Sequence, residues 1–96
     1  MLEKVKESLR IKTDKLNNEI NDLIESAKMD LSISGVVNIL ESDPLIIRAI
    51  ILYCKANFGL DNDEADKYQS RYESLKIHLS LCTDYNTESE VENNVE

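Results

Sequence analysis

Few side chains in this sequence belong to the types that do chemistry, and their spacing decides what each can be for. His78 is the one histidine, and no serine or cysteine near it carries the signature of a nucleophile, which needs a base within reach and a third group to orient that base. A solvent-facing or cap-adjacent residue is expected there. Cys54 and Cys82 are too few for a disulfide scaffold and have no neighbours at metal-ligand spacing, so they read as reduced thiols of a cytosolic protein. Glu19, Asp22, Glu25 and Asp30 gather carboxylates on one stretch but lack the Glu-x-x-His pairs of a metal-carboxylate bundle, and a solvated face is expected. The run Asp61-Asn62-Asp63-Glu64-Ala65-Asp66 has the outline of a calcium loop. Its sixth position holds Asp66 instead of glycine and its twelfth Tyr72 instead of glutamate, which leaves helix capping as its use. Tyr68 and Tyr72 would stack bases only inside a positive groove, so core packing is expected of them. With no glycine-rich phosphate loop and no Gly-x-Ser-x-Gly, the sequence predicts no catalytic activity, no cofactor and no metal.

Charge is the remaining chemistry. The net charge is −8, of which Asp84, Glu88, Glu90, Glu92 and Glu96 place −5 in the last fourteen residues. A chain of this balance has no broad electropositive footprint for a phosphate backbone. Lys4, Lys6, Arg10, Lys12 and Lys15 outnumber Glu3, Glu7 and Asp14 by two, a local basic patch that offers a contact to an acidic partner beside the plainer reading as a solvated face.

The elements that position these groups read as helices. Ninety-six residues with 42% hydrophobic and 31% charged side chains make one small domain, and two glycines, one proline and 5% aromatics argue against a turn-rich sandwich or barrel. Leu2, Val5 and Leu9 define a short amphipathic helix whose outer face carries Glu3, Lys4, Lys6, Glu7 and Arg10. Thr13 offers an N-cap to a second helix over about 14–33, with Leu16, Ile20, Leu23, Ile24, Ala27 and Leu31 on its apolar stripe, and Gly35 suits the left-handed residue that ends it. Val36 to Leu40 form an apolar connector. Asp43-Pro44 is a strong start signal for a third helix. From Leu45 to Phe58 eleven of fourteen residues are hydrophobic, so this helix is apolar on most of its circumference and is the one the others pack around. Gly59 stops it, and a fourth helix follows over about 62–81, burying Ala65, Tyr68, Tyr72, Leu75 and Leu79 while Asp66, Lys67, Gln69, Ser70, Arg71, Glu73 and Lys76 face solvent. The prediction is an all-α fold: a small bundle of four main helices, residues 1–82, followed by a disordered acidic tail, 83–96. The alternating charges of Met1 to Glu7 do not make a secretory signal, and the apolar run is too short and too often interrupted to span a membrane.

The succession of Leu9-Arg10-Ile11, the helix through Leu16 to Ala27, and Asp43-Pro44-Leu45-Ile46-Ile47-Arg48-Ala49-Ile50 running on to Phe58 resembles the small head–tail connector proteins of long-tailed bacteriophages and prophages. Arg71-Tyr72-Glu73-Ser74-Leu75-Lys76-Ile77-His78-Leu79-Ser80-Leu81, closing at Asp84-Tyr85, is similar to the version found in phages of low-GC Gram-positive bacteria. The resemblance covers residues 2 to 85. It implies a structural protein that assembles in the host cytoplasm and ends in the virion neck, as a ring beneath the portal protein that extends the DNA channel. Its implied partners are the portal, neighbouring copies and the next head–tail joining protein, with DNA passing without sequence-specific binding and no membrane involved. The acidic tail, with Thr83, Asp84, Tyr85, Asn86, Val91 and Val95, would then be a portal-docking strand. Two other readings compete. A terminase small subunit-like packaging factor would need a helix-turn-helix with a basic recognition helix, and the candidate pairs are too acidic or too buried. An acidic regulator that mimics DNA rests on the charge alone, which sits mostly in the tail.

Overall fold

The computed structural model describes residues 1–59 and 63–87. Five helices follow one another: α1 (Leu2–Leu9), α2 (Asn17–Ile33), α3 (Pro44–Asn57), α4 (Ala65–Ser80) and the single turn α5 (Thr83–Asn86), and no strand occurs among the described residues. The all-α reading is correct. α3 packs against α1, α2 and α4, and supplies Ile46, Ala49, Ile50 and Cys54 to a core completed by Val5, Ile20, Ile24, Ala27, Leu31, Val36, Tyr72 and Leu79. Every helix from α1 to α4 thus buries its stripe against or beside one central helix.

Helix ends explain where the chain turns. Gly35 takes φ +103°, Val36 N–H returns to the Leu31 carbonyl at 2.9 Å and Gly35 N–H to Ser32 at 3.1 Å, so the carbonyls left open at the end of α2 are satisfied while Val36 and Leu31 are both buried. The same arrangement closes α1 on a residue that is not glycine. Arg10 takes φ +62°, its N–H donates to Glu7, and Ile11 N–H donates to the Lys6 carbonyl at 2.9 Å. Asp43 caps α3 by accepting the Leu45 N–H at 2.8 Å, with Pro44 at the first helical position, and Gly59 follows the helix at φ +89°.

Three expectations need correction. α2 begins at Asn17, three residues later than expected, because the Thr13 hydroxyl accepts the Lys15 N–H at 3.1 Å and closes a turn of its own ahead of the helix. α4 begins at Ala65 after Glu64, whose side chain makes no cap; Asp61 and Asn62 of the expected capping run lie outside the described residues. The chain also keeps its structure past residue 82. α5 is held by long-range hydrogen bonds: Val37 and Asn38 N–H groups donate to the Tyr85 carbonyl at 2.8 and 3.2 Å, and Asn38 Nδ2 donates to the carbonyls of Asp84 and Thr87, both at 2.7 Å. Residues 88–96, the rest of the expected tail, lie outside the described residues.

Ile50 is fully buried on the central helix. Replacing it with Asp sets an unpaired carboxylate in the core, a cost of several kcal/mol against a total stability of about 5–15 kcal/mol, and the protein is expected to lose its helical circular dichroism and its cooperative melt. An Ile50→Asp protein that melts where the parent does would show that the core is not centred on α3.

Candidate assembly surfaces

Of the residues singled out as chemical, His78 is exposed in the last turn of α4, Cys54 is buried, and Cys82 is half-buried at the start of α5. Burial pushes the Cys54 thiol up to about 12, which makes it an inert core group. Among the described residues no group of three or more His, Cys, Asp or Glu side chains is placed to hold a metal ion. No described helix is long and apolar enough to cross a membrane.

The carboxylates of α2 separate into two kinds. Glu19, Asp22 and Glu25 are exposed as expected, and Glu25 pairs with Lys28 at 3.4 Å, which also pairs with Glu41. Asp30 is different. Its Oδ2 accepts the Tyr72 hydroxyl at 2.6 Å and the Lys76 ammonium at 3.0 Å, and Lys76 reaches Glu73 at 3.0 Å, so the expected solvent-facing Lys76 is instead part of a network joining α2 to α4. Burial works against the Asp30 charge, but the hydroxyl and the ammonium outweigh it and hold its carboxyl below the ordinary value; the Tyr72 phenol is pushed up, first by burial and then by Asp30. Tyr72 packs in the core as expected, edge to face with Tyr53 at 5.2 Å, and Tyr68 lies half-buried beneath the Lys55 ammonium, 5.2 Å from its ring centre.

The basic patch loses a member. Lys6 is 5% exposed and its Nζ meets Asp14 Oδ1 at 2.8 Å, which ties α1 to the turn before α2 and, chiefly through that hydrogen bond, lowers the Asp14 carboxyl. Lysine was expected on the outer face; its long apolar stem lets it lie along the core and present the ammonium at the edge. Lys4, Arg10, Lys12 and Lys15 remain exposed. Of the expected docking strand, Thr83, Asp84, Tyr85 and Asn86 form α5, with the Tyr85 hydroxyl donating to Asp43 Oδ2 at 2.9 Å, while Val91 and Val95 lie outside the described residues. Asn38 and Asp43 are the partners that sequence reasoning missed: they meet α5 across more than forty residues, and no local pattern marks such a pair. The surface also carries exposed large apolar side chains, Ile33 and Leu81 at 77% exposure, Met29 at 62% and Leu40 at 61%.

Comparison with known proteins decides the class. The family model described as phage connector protein matches residues 1–86, which is α1 through α5. The chain belongs to the phage connector protein family. No curated protein and no solved structure matches it. It is therefore a structural phage protein of the head–tail connector class, and the matched region ends with α5, so the family pattern includes the segment that composition alone assigned to the tail.

The Asp30 network generates an asymmetric prediction. Asp30→Ala strands the fully buried Tyr72 hydroxyl without an acceptor and is expected to cost about 1–3 kcal/mol in urea unfolding. Tyr72→Phe leaves Asp30 partly hydrated beside Lys76 and is expected to cost less. Because the folded Asp30 carboxyl titrates below its ordinary 3.8, the network's stabilisation is complete well above that value and is lost as pH falls below it through the lower folded value. The Asp30→Ala protein should therefore lose less stability than the parent on acidification across that range. Equal losses would contradict the pairing.

Proposed function

We propose that the protein is a ring-forming connector subunit that joins the portal vertex of a phage head to the next tail-side component and extends the DNA channel between them. The observation that carries this reading is the family match over residues 1–86. The chemistry agrees. A net charge of −8 gives passing DNA few phosphate contacts to hold it, so the duplex slides where a basic ring would grip. Exposed Ile33, Leu40 and Leu81 supply apolar contact area that a single copy leaves in water. A closed ring needs two different surfaces on each copy, and weak interfaces become collectively stable when the portal presents repeated sites. Alone, the chain is then monomeric or weakly associated. Assembly takes place in the host cytoplasm, and the subunit ends in the virion neck.

In this reading the acidic residues 88–96 are an assembly segment toward the portal, whereas α5 belongs to the folded body. Deleting the gene is expected to leave heads that package DNA but fail to retain it or to join tails, as seen by electron microscopy; normal tailed, DNA-filled virions would contradict the assignment. A chain ended after Thr87 should melt at the parent's temperature, since α1 to α5 and their contacts are intact, and should be incorporated poorly into particles. Full incorporation of that chain would remove the tail from the docking contact.

A further inference from the structure

The most exposed apolar side chains of the two long outer helices gather at one end of the molecule. Met29 and Ile33 stand one turn apart on α2, and Ile77 stands one turn before Leu81, the residue that closes α4; their exposures are 62, 77, 56 and 77%. Both pairs flank one seam. Asp30, beside Met29, holds Lys76, beside Ile77, at 3.0 Å, and Gly35 lies against Ser80. Four such side chains make an apolar patch on the order of a few hundred Å², the size that marks a contact site on a small protein. Its surroundings are acidic. Glu25 lines the same depression as Met29 and Ile33, Glu73 is one turn before Ile77, and Asp84 is three residues past Leu81. With Asp30 these carboxylates outnumber the ammoniums of Lys28 and Lys76, and α2 and α4 both end here, where their last carbonyls add partial negative charge.

The opposite sign lies at the other end of α2. Arg10, Lys12 and Lys15 are exposed on the turn that leads into α2 and that Lys6 ties to α1, and the helix from Asn17 to Ile33 separates this turn from the apolar patch by about 24 Å. Ile11 lies half-buried between Arg10 and Lys12 and shares a surface depression with both. Residues 1–15 carry five cations to three carboxylates, and Lys6 already engages one of those, Asp14. If two copies met patch to patch about a two-fold axis, Glu25 and Glu73 would face carboxylates, whereas the basic turn of a second copy offers them ammoniums and offers the apolar side chains Ile11. We propose that the ring contact between neighbouring copies is heterologous, with the patch of Met29, Ile33, Ile77 and Leu81 on one copy seated on the turn of Arg10, Ile11, Lys12 and Lys15 on the next. This inference rests on the connector reading and gives its ring the two different surfaces that closure needs. The patch is smaller than the roughly 800 Å² per partner of a stable pair, so one contact alone is weak and the ring holds through many.

The test takes two double variants of the full chain. Ile33→Lys with Leu81→Lys removes the apolar end, and ammoniums suit the ends of α2 and α4, so the fold is kept. Lys12→Glu with Lys15→Glu reverses the basic end at two exposed positions. Each protein is isotope-labelled and titrated with itself and with the other, and binding is read from its amide resonances. In the parent, the amides around Met29, Ile33 and Ile77 and those of Arg10 to Lys15 are expected to shift together as concentration rises to the millimolar range, and to return as salt screens the contact. Each variant alone should bind itself at least about tenfold more weakly than the parent does. Mixed, the two should pair one to one about as tightly as the parent, with shifts at Arg10 to Lys15 of the first variant and at Met29 to Ile33 of the second. If circular dichroism shows a fold disturbed, Ile33→Ser with Leu81→Ser and Lys12→Gln with Lys15→Gln take their places, with smaller losses expected. Parent resonances that stay fixed up to millimolar concentration would overturn the proposal. So would undiminished self-association of the Lys12→Glu, Lys15→Glu chain, which makes the patch its own partner, or a mixture that fails to pair. These readings are made in solution, whereas the connector reading is judged on particles, so the failure of either is visible without the other.

Discussion

The fold depends on α3, a fourteen-residue helix with apolar side chains on most of its circumference and neighbours on several sides. A helix of this kind cannot remain in water alone, and α1, α2 and α4 each find the place for their apolar stripes against it. Four of its residues, Ile46, Ala49, Ile50 and Cys54, are wholly buried. The start of α3 is also where the far end of the chain returns. Asp43 caps the helix with one side chain that accepts both the Leu45 N–H and the Tyr85 hydroxyl, so the residue that begins the central helix also fixes α5.

The polar contacts lock what burial collects. Lys6 with Asp14 sets α1 against the turn that leads into α2, and Asp30 with Tyr72 and Lys76 joins α2 to α4 on the far side of the core. Each network places one partner at the edge of water, which keeps the cost of removing charge from solvent small while directing how helices meet. They hold the helices of this phage connector family member, and so its surfaces, in position.

Local signals carried most of the fold. The apolar run from Leu45, the Asp43-Pro44 start and the stops at Gly35 and Gly59 depend on residues within a few positions of one another, and each appears in the structure at its expected place. What the sequence left hidden was long-range or contrary to residue type. Arg10 closes α1 in a left-handed conformation that glycine usually marks, Lys6 is buried although lysine belongs to the outer face, and Asp30 reaches a tyrosine forty-two residues away. α5 is four residues long and buries none of them; the amide and carboxylate groups of Asn38 and Asp43 that hold it give no periodic pattern. The meeting of Lys4, Arg48 and Arg71 around one surface cavity is likewise a product of packing, since they come from α1, α3 and α4.

Native-state hydrogen exchange across the whole chain tests the central role of α3 most directly, because the amides that open only with global unfolding mark the element that everything else requires. The account predicts that Ile50 to Cys54 are the slowest to exchange, and that α1 and α5 open locally at far lower cost. Slowest exchange in α2 or α4, with α3 opening before them, would contradict it.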